Sequence, residues 1–146
     1  MKKTEKLGAI SCSSIKEAAA YADIVILAIK YQYYGDVLPE LSENIEPQTI
    51  VISLAPGYTF ANMKEKLGRK QRIVRAMPNI PAMIGAGMSS LAFSPDMYTD
   101  DEKNVVLDIF RGAGKAVEVR EDQMDAAMAV SGCAPAYGYI FIEAMG

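Results

Sequence analysis

The chain contains no histidine and no tryptophan, and only two cysteines. Without histidine, Ser-His and Cys-His nucleophilic dyads are excluded, as are metal sites built on imidazole. Cys12 and Cys133 lie far apart in sequence and form no Cys-x-x-Cys pair. With nothing else pointing to secretion, they read as free thiols of a reducing cytoplasm. No long hydrophobic run is present either. The longest strongly apolar stretch, Ile24 to Ile29, is far too short to span a bilayer, and the basic start Met1-Lys2-Lys3 lacks the apolar core of a signal peptide. Nor is there an excess of positive charge. Fifteen basic against eighteen acidic residues leave a net charge of -3, which argues against a nucleic-acid binder that must neutralise phosphates. What remains is a soluble globular composition, 51% apolar and 23% charged over 146 residues. That is enough chain for one domain, or for one domain and part of another.

The apolar residues alternate between short continuous runs and longer amphipathic ones. Ser13 and Ser14 offer a helix N-cap, with Glu17 in capping-box position, for a helix to about Tyr21. Ile24 to Ile29 then reads as a strand buried on both faces, of the kind found in parallel sheets. A helix over 33–44 carries Val37, Leu38 and Leu41 on one face, and Tyr31, Tyr33 and Tyr34 around its start read as a half-exposed aromatic cluster. The cycle repeats with a strand over 49–53, a turn at Ala55-Pro56-Gly57, and a helix capped by Thr59 and closed by Gly68. A third strand spans 72–76, and Pro78 to Gly87 is a loop. A strand over 88–93, a helix over 100–111 and a strand over 115–119 follow. This spacing predicts a partial, Rossmann-like, doubly wound parallel sheet. From about residue 121 the chain turns helical: 122–130, a break at Ser131 to Pro135, then 136–145, which is apolar nearly all round. The expected division is therefore residues 1–120 as a partial dinucleotide-binding domain and 121–146 as the start of an all-α domain.

Two glycine clusters invite a phosphate-binding reading. Gly85-Ala86-Gly87 and Gly112-Ala113-Gly114 each run into a strand rather than a helix, so both read as loop glycines. Ligands of open α/β sheets bind beyond the carboxyl ends of the strands. Three such ends stand out: Ala28-Ile29-Lys30, Ala55-Pro56-Gly57, and Asn79 held between Pro78 and Pro81. Each is either an ordinary turn or one wall of a ligand crevice. Ser131-Gly132-Cys133 is either a helix–helix turn or a substrate-facing loop. Met63, Met77, Met83, Met88, Met124 and Met128 read as core filler.

Several of these segments together resemble one family. Met77-Pro78-Asn79-Ile80-Pro81-Ala82, with Gly85-Ala86-Gly87-Met88 after it, resembles the M-P-N-T-P-A…G-x-G-M segment of pyrroline-5-carboxylate reductases. Met124-Asp125-Ala126, Ser131 to Tyr137 and Phe141 to Ala144 are similar to that family's M-D-A…S-G-S-G-P-A-Y…F-I-E-A block. Asp23 to Lys30 and Ser53 to Gly57 are similar to its strand ends. The resemblance implies hydride transfer from NADPH or NADH to 1-pyrroline-5-carboxylate, giving L-proline, in a cytoplasmic homo-oligomer built on dimers. It implies that Ala28, Ile29, Lys30, Leu54, Ala55, Pro56 and Asn79 line the cofactor, with Ser131 on the substrate side. It names no catalytic residue, no metal, no nucleic acid and no membrane. The family's opening Gly-rich turn and most of its helical dimerisation domain find no counterpart here, which implies poor catalysis by these residues alone. Tyr31, Pro56, Ile80, Cys133 and Ala134 depart from the family pattern, and Ile80 removes a hydroxyl. The alternatives are a non-catalytic binding module of the same fold and a related imine or β-hydroxyacid reductase.

Overall fold

The computed structural model describes residues 8–95 and 98–146; the basic start at Met1 to Lys3 lies outside them. Among the described residues five strands form one sheet in the order β1-β2-β3-β4-β5. They are β1 (Ile24–Leu27), β2 (Ile50–Ser53), β3 (Arg72–Met77), β4 (Gly87–Phe93) and β5 (Gly114–Glu118). β1, β2 and β3 run parallel, with Ile24 opposite Ile50 and Ile50 opposite Arg72. β4 is antiparallel to β3, with Met77 opposite Ser90, and β5 is parallel to β4.

The expected parallel arrangement holds for β1 to β3 and for β4 with β5, while β4 is reversed against β3, and the cause of the reversal is the connection. Parallel neighbours need a crossover of a dozen or more residues, usually a helix. Only residues 78–86 join β3 to β4, and they fold as a single 3-10 segment, Ile80–Ile84, closed by left-handed Gly85. Where β4 and β5 begin, Gly87 and Gly114 face each other in register. A Cβ on Gly114 would stand 2.2 Å from the Gly87 carbonyl oxygen, and one on Gly87 2.7 Å from the Ala82 Cα. These glycines therefore permit close backbone approach within the sheet.

Helices cover both faces. On one lie α1 (Ile15–Ala19), α2 (Tyr34–Ser42) and α3 (Phe60–Leu67), burying Leu38, Leu41, Met63 and Leu67 against Val51 and Ile73. On the other lies α4 (Asp100–Arg111), whose Val106, Leu107 and Phe110 pack on Ile52, Val74 and Leu91. Local chemistry sets the helix starts. Ser14 accepts from the Glu17 N–H, and Thr59 from the Asn62 N–H. Thr99 and Glu102 form a reciprocal capping box on α4. The β1 run is shorter and more open than its sequence predicts. It ends at Leu27, and Ile26 is 42% exposed, because no described strand pairs with its outer edge.

After β5 a 3-10 turn (Glu121–Gln123) leads into α5 (Met124–Ala127), a π-helical turn (Met128–Cys133) and α6 (Ala134–Met145). The expected break at Ser131 is thus a widened turn in a continuous helical path. Met124 belongs to the core beneath α2 and α3, whereas α6 buries none of its residues. Met83, read as core filler, is 88% exposed. Among the described residues no helix is long and apolar enough to cross a membrane.

Candidate functional site

The carboxyl ends of β1, β2 and β3 lie side by side, about 10 Å from first to third at ordinary strand spacing. Beyond β1, Ala28, Ile29 and Lys30 are exposed, and the Lys30 carbonyl accepts from the Tyr33 N–H to start a 3-10 turn. Beyond β2, Leu54 and Ala55 turn to opposite faces of the sheet and into its two cores, while Pro56 and Gly57 are exposed. Leu54 and Ala55 therefore have mainly backbone to offer a ligand. Gly57 holds φ +71°, and the space its Cβ would fill is open, so a flat group can approach the main chain there.

Asn79, beyond β3, is engaged at both ends of its side-chain amide. Its Oδ1 accepts from the Met88 N–H at 2.9 Å, and its Nδ2 donates to the Ser131 carbonyl at 3.0 Å. The structure thus joins two sequence-predicted residues from opposite ends of the chain. The Ser131 hydroxyl donates to the Ala127 carbonyl four residues back, at 2.8 Å. The π turn sets the Ser131 carbonyl where Asn79 reaches it, and π turns gather at functional sites.

A second polar tie lies deeper. Buried Arg75 donates from one guanidinium nitrogen to Glu121 at 3.1 Å, and the same carboxylate oxygen accepts from the Phe60 N–H at 2.7 Å. Glu121 meets the positive end of α3 and a buried cation together. The Arg75 Nε is buried without a partner. Segment 121–131 is consequently held across the strand ends at two points.

Sequence reasoning missed Tyr34. Of the expected tyrosine cluster, Tyr31 and Tyr33 are exposed, but Tyr34 is 0% exposed. Its hydroxyl lies 3.2 Å from the Leu27 carbonyl and 3.1 Å from the Ser53 Oγ, and its ring is 4.9 Å from that of Tyr58. Burial pushes its phenol pKa up, against the opposing effect of the Ser53 hydrogen bond. The available signal was spacing: 34, 38 and 41 fall on one helical face.

A cavity of about 590 Å³, lined by Lys16, Asp23 and Glu46 among others, opens at the amino ends of the strands, opposite the expected ligand edge. A second, of about 410 Å³, is an apolar groove along β1 and α1. Topology, rather than cavity size, identifies the strand-tip edge as the candidate site.

Residues 2–57 match the model for the NADP oxidoreductase, coenzyme F420-dependent family, and residues 121–146 match that for pyrroline-5-carboxylate reductase dimerisation. A pyrroline-5-carboxylate reductase of Escherichia coli is 36% identical over 97% of this chain. Over nearly its whole length the chain is similar to pyrroline-5-carboxylate reductases. It spans about half the length of the curated relatives it matches, 52% in the E. coli case. The solved reductase of Coxiella burnetii superposes with a TM-score of 0.90 at 36% identity, over 97% of this chain and 53% of that one. The Plasmodium falciparum pyrroline carboxylate reductase, solved with NADP bound, gives 0.84 at 34% identity, over 91% and 50%. The Rossmann-like reading of the sheet is therefore sound, with β4 reversed.

Proposed function

We propose that this chain is part of a reductase that converts 1-pyrroline-5-carboxylate to L-proline with NADPH or NADH. The observation that carries the reading is the Asn79 bridge. It ties the strand-tip edge of the nucleotide fold to Ser131, in the segment similar to the reductase dimerisation region. Support for the cofactor comes from the P. falciparum relative, solved with NADP, and from the site itself. Small Ala28, an approachable Gly57 backbone and the exposed Lys30 ammonium fit a flat ring and an anionic group.

When bound, the nicotinamide supplies hydride to the C=N carbon. The chain's own task is orientation, since a protonated imine needs placement more than a strong nucleophile. In this reading Ala28, Ile29 and Lys30, with the backbone of Leu54, Ala55 and Pro56, form the cofactor wall. Asn79 fixes that wall against the substrate side at Ser131. Residues 1–120 make the nucleotide-binding part, and 121–146 begin the helical part that meets the substrate and a second subunit. The proposed compartment is the cytoplasm, in keeping with free Cys12 and Cys133.

The test is to follow NADPH oxidation and proline formation when the protein is given 1-pyrroline-5-carboxylate, alongside direct NADPH titration. The reading expects saturable binding with turnover, and a roughly tenfold lower kcat/KM for Lys30→Ala, the value of one charge-assisted contact. Binding without turnover would establish the non-catalytic module instead.

A further inference from the structure

We propose that Tyr34, acting through Ser53, is a positioning residue that locks the tips of β1 and β2 into the spacing the dinucleotide requires. The inference rests on the strand-tip reading of the cofactor site and adds a group outside it.

The backbone ladder between the two strands has its last rung at Leu27 and Ser53. Beyond that rung the chains diverge into the loops 28–30 and 54–57, and a side chain bridges them. The Leu27 carbonyl can only accept, so the single Tyr34 hydroxyl proton goes to it. Ser53 Oγ must then donate to the Tyr34 oxygen, and it in turn accepts from the Ala55 N–H at 3.3 Å. The result is a one-directional chain: Ala55 N–H to Ser53 to Tyr34 to Leu27 carbonyl. Each link polarises the next. Both hydroxyls are buried, Ser53 at 1% exposure, so water does not substitute for a missing link. The Tyr34 ring also rests on Tyr58, at the far end of the β2 loop. One side chain on α2 thus touches the last residue of β1 and both ends of the neighbouring loop.

Tyr34→Phe keeps the ring and removes only the hydroxyl; Ser53→Ala removes the next link. Each is expected to weaken NADPH binding about fivefold in titration, the value of one hydrogen bond. The double variant should be no weaker than either single one, because the chain is already broken. Hydrogen exchange should show faster exchange of the Ala55 amide in both variants. In turnover, KM for NADPH should rise while kcat stays within twofold and KM for the imine is unmoved. A purely structural Tyr34 would lower the melting temperature and leave NADPH affinity alone, which overturns the inference. So do losses that multiply in the double variant. A wild-type protein that binds neither NADPH nor NADH overturns the cofactor reading and this inference together, whereas wild-type binding left unchanged by Tyr34→Phe overturns this inference only.

Discussion

Asn79 shows how much one amide can settle. Both ends of its side chain are spent on backbone groups, Met88 N–H and Ser131 carbonyl, so it acts as a clamp. Asn79→Ala should cost about 1–2 kcal/mol by urea denaturation, because two partly buried backbone groups lose their partner. Asn79→Asp should keep the Met88 bond yet set a carboxylate against the Ser131 carbonyl, so it should be no better than Asn79→Ala. An Asp variant as stable as wild type would remove the Ser131 contact from the account. The sequence shows why Asn79 stands out, as a polar side chain between two prolines at a strand end. It does not show the partner, because Ser131 lies 52 residues away. Tyr34 was hidden for the opposite reason. Three tyrosines in four positions look alike, and only the helical phase of α2 separates the buried one from its neighbours.

Among the elements, the strands were the easiest to read. The strands expected at 49–53 and 72–76 form β2 and β3, the first buried as expected and the second buried along most of its length. The direction of β4 was also legible in principle, since the Pro78 to Ala86 connection is too short for a crossover helix. The helix caps carry measurable chemistry. Arg72, by its side-chain hydrogen bonds, and then the Thr99 N–H hold the Glu102 carboxyl down to about 2, from an ordinary 4.5. A carboxyl lowered in the folded state favours folding above its unfolded pKa, and that contribution fades as pH falls from about 4.5 towards 2. Melting curves across that window should therefore decline more steeply for wild type than for Glu102→Gln. Equal slopes would mean the Arg72 pair does not couple to folding. In the sheet, Gly114→Ala should destabilise by about 3 kcal/mol or more, since its Cβ has only the Gly87 backbone to displace. A well-folded Gly114→Ala protein would show that β4 and β5 can separate at that end.

For the molecule as a whole, the outstanding fact is α6. Its Tyr137, Ile140, Phe141 and Ile142 are all more than 60% exposed, an apolar surface of the kind that marks an interface. The protein should therefore self-associate in sedimentation, and Phe141→Glu should shift it towards smaller species while leaving the sheet's melting transition in place. Persistence of the same assembly would place the interface elsewhere. Composition and periodicity made the Rossmann-like sheet and the helical tail visible. They could not reveal that Glu121, at the start of that tail, is pinned to Arg75 and the first turn of α3, because such a tie depends on the folded path between distant residues. The tail is thus wedded to the sheet at its root and open at its tip.

The π turn at Met128–Cys133 has a consequence for the heading of that tip. A π turn holds one residue more than an α turn, so everything after it is rotated by about 100° about the helix axis. It works as a phase shifter: the facing of α6 is set by counting residues through 128–133, and α-helical arithmetic carried straight through from α5 would aim the wrong flank outward. Deleting Ala129 would restore the ordinary count, swing the apolar surface of α6 round by that angle and withdraw the Ser131 carbonyl from Asn79. A single missing residue would then turn the apolar surface of α6 to a new heading without altering one of its side chains.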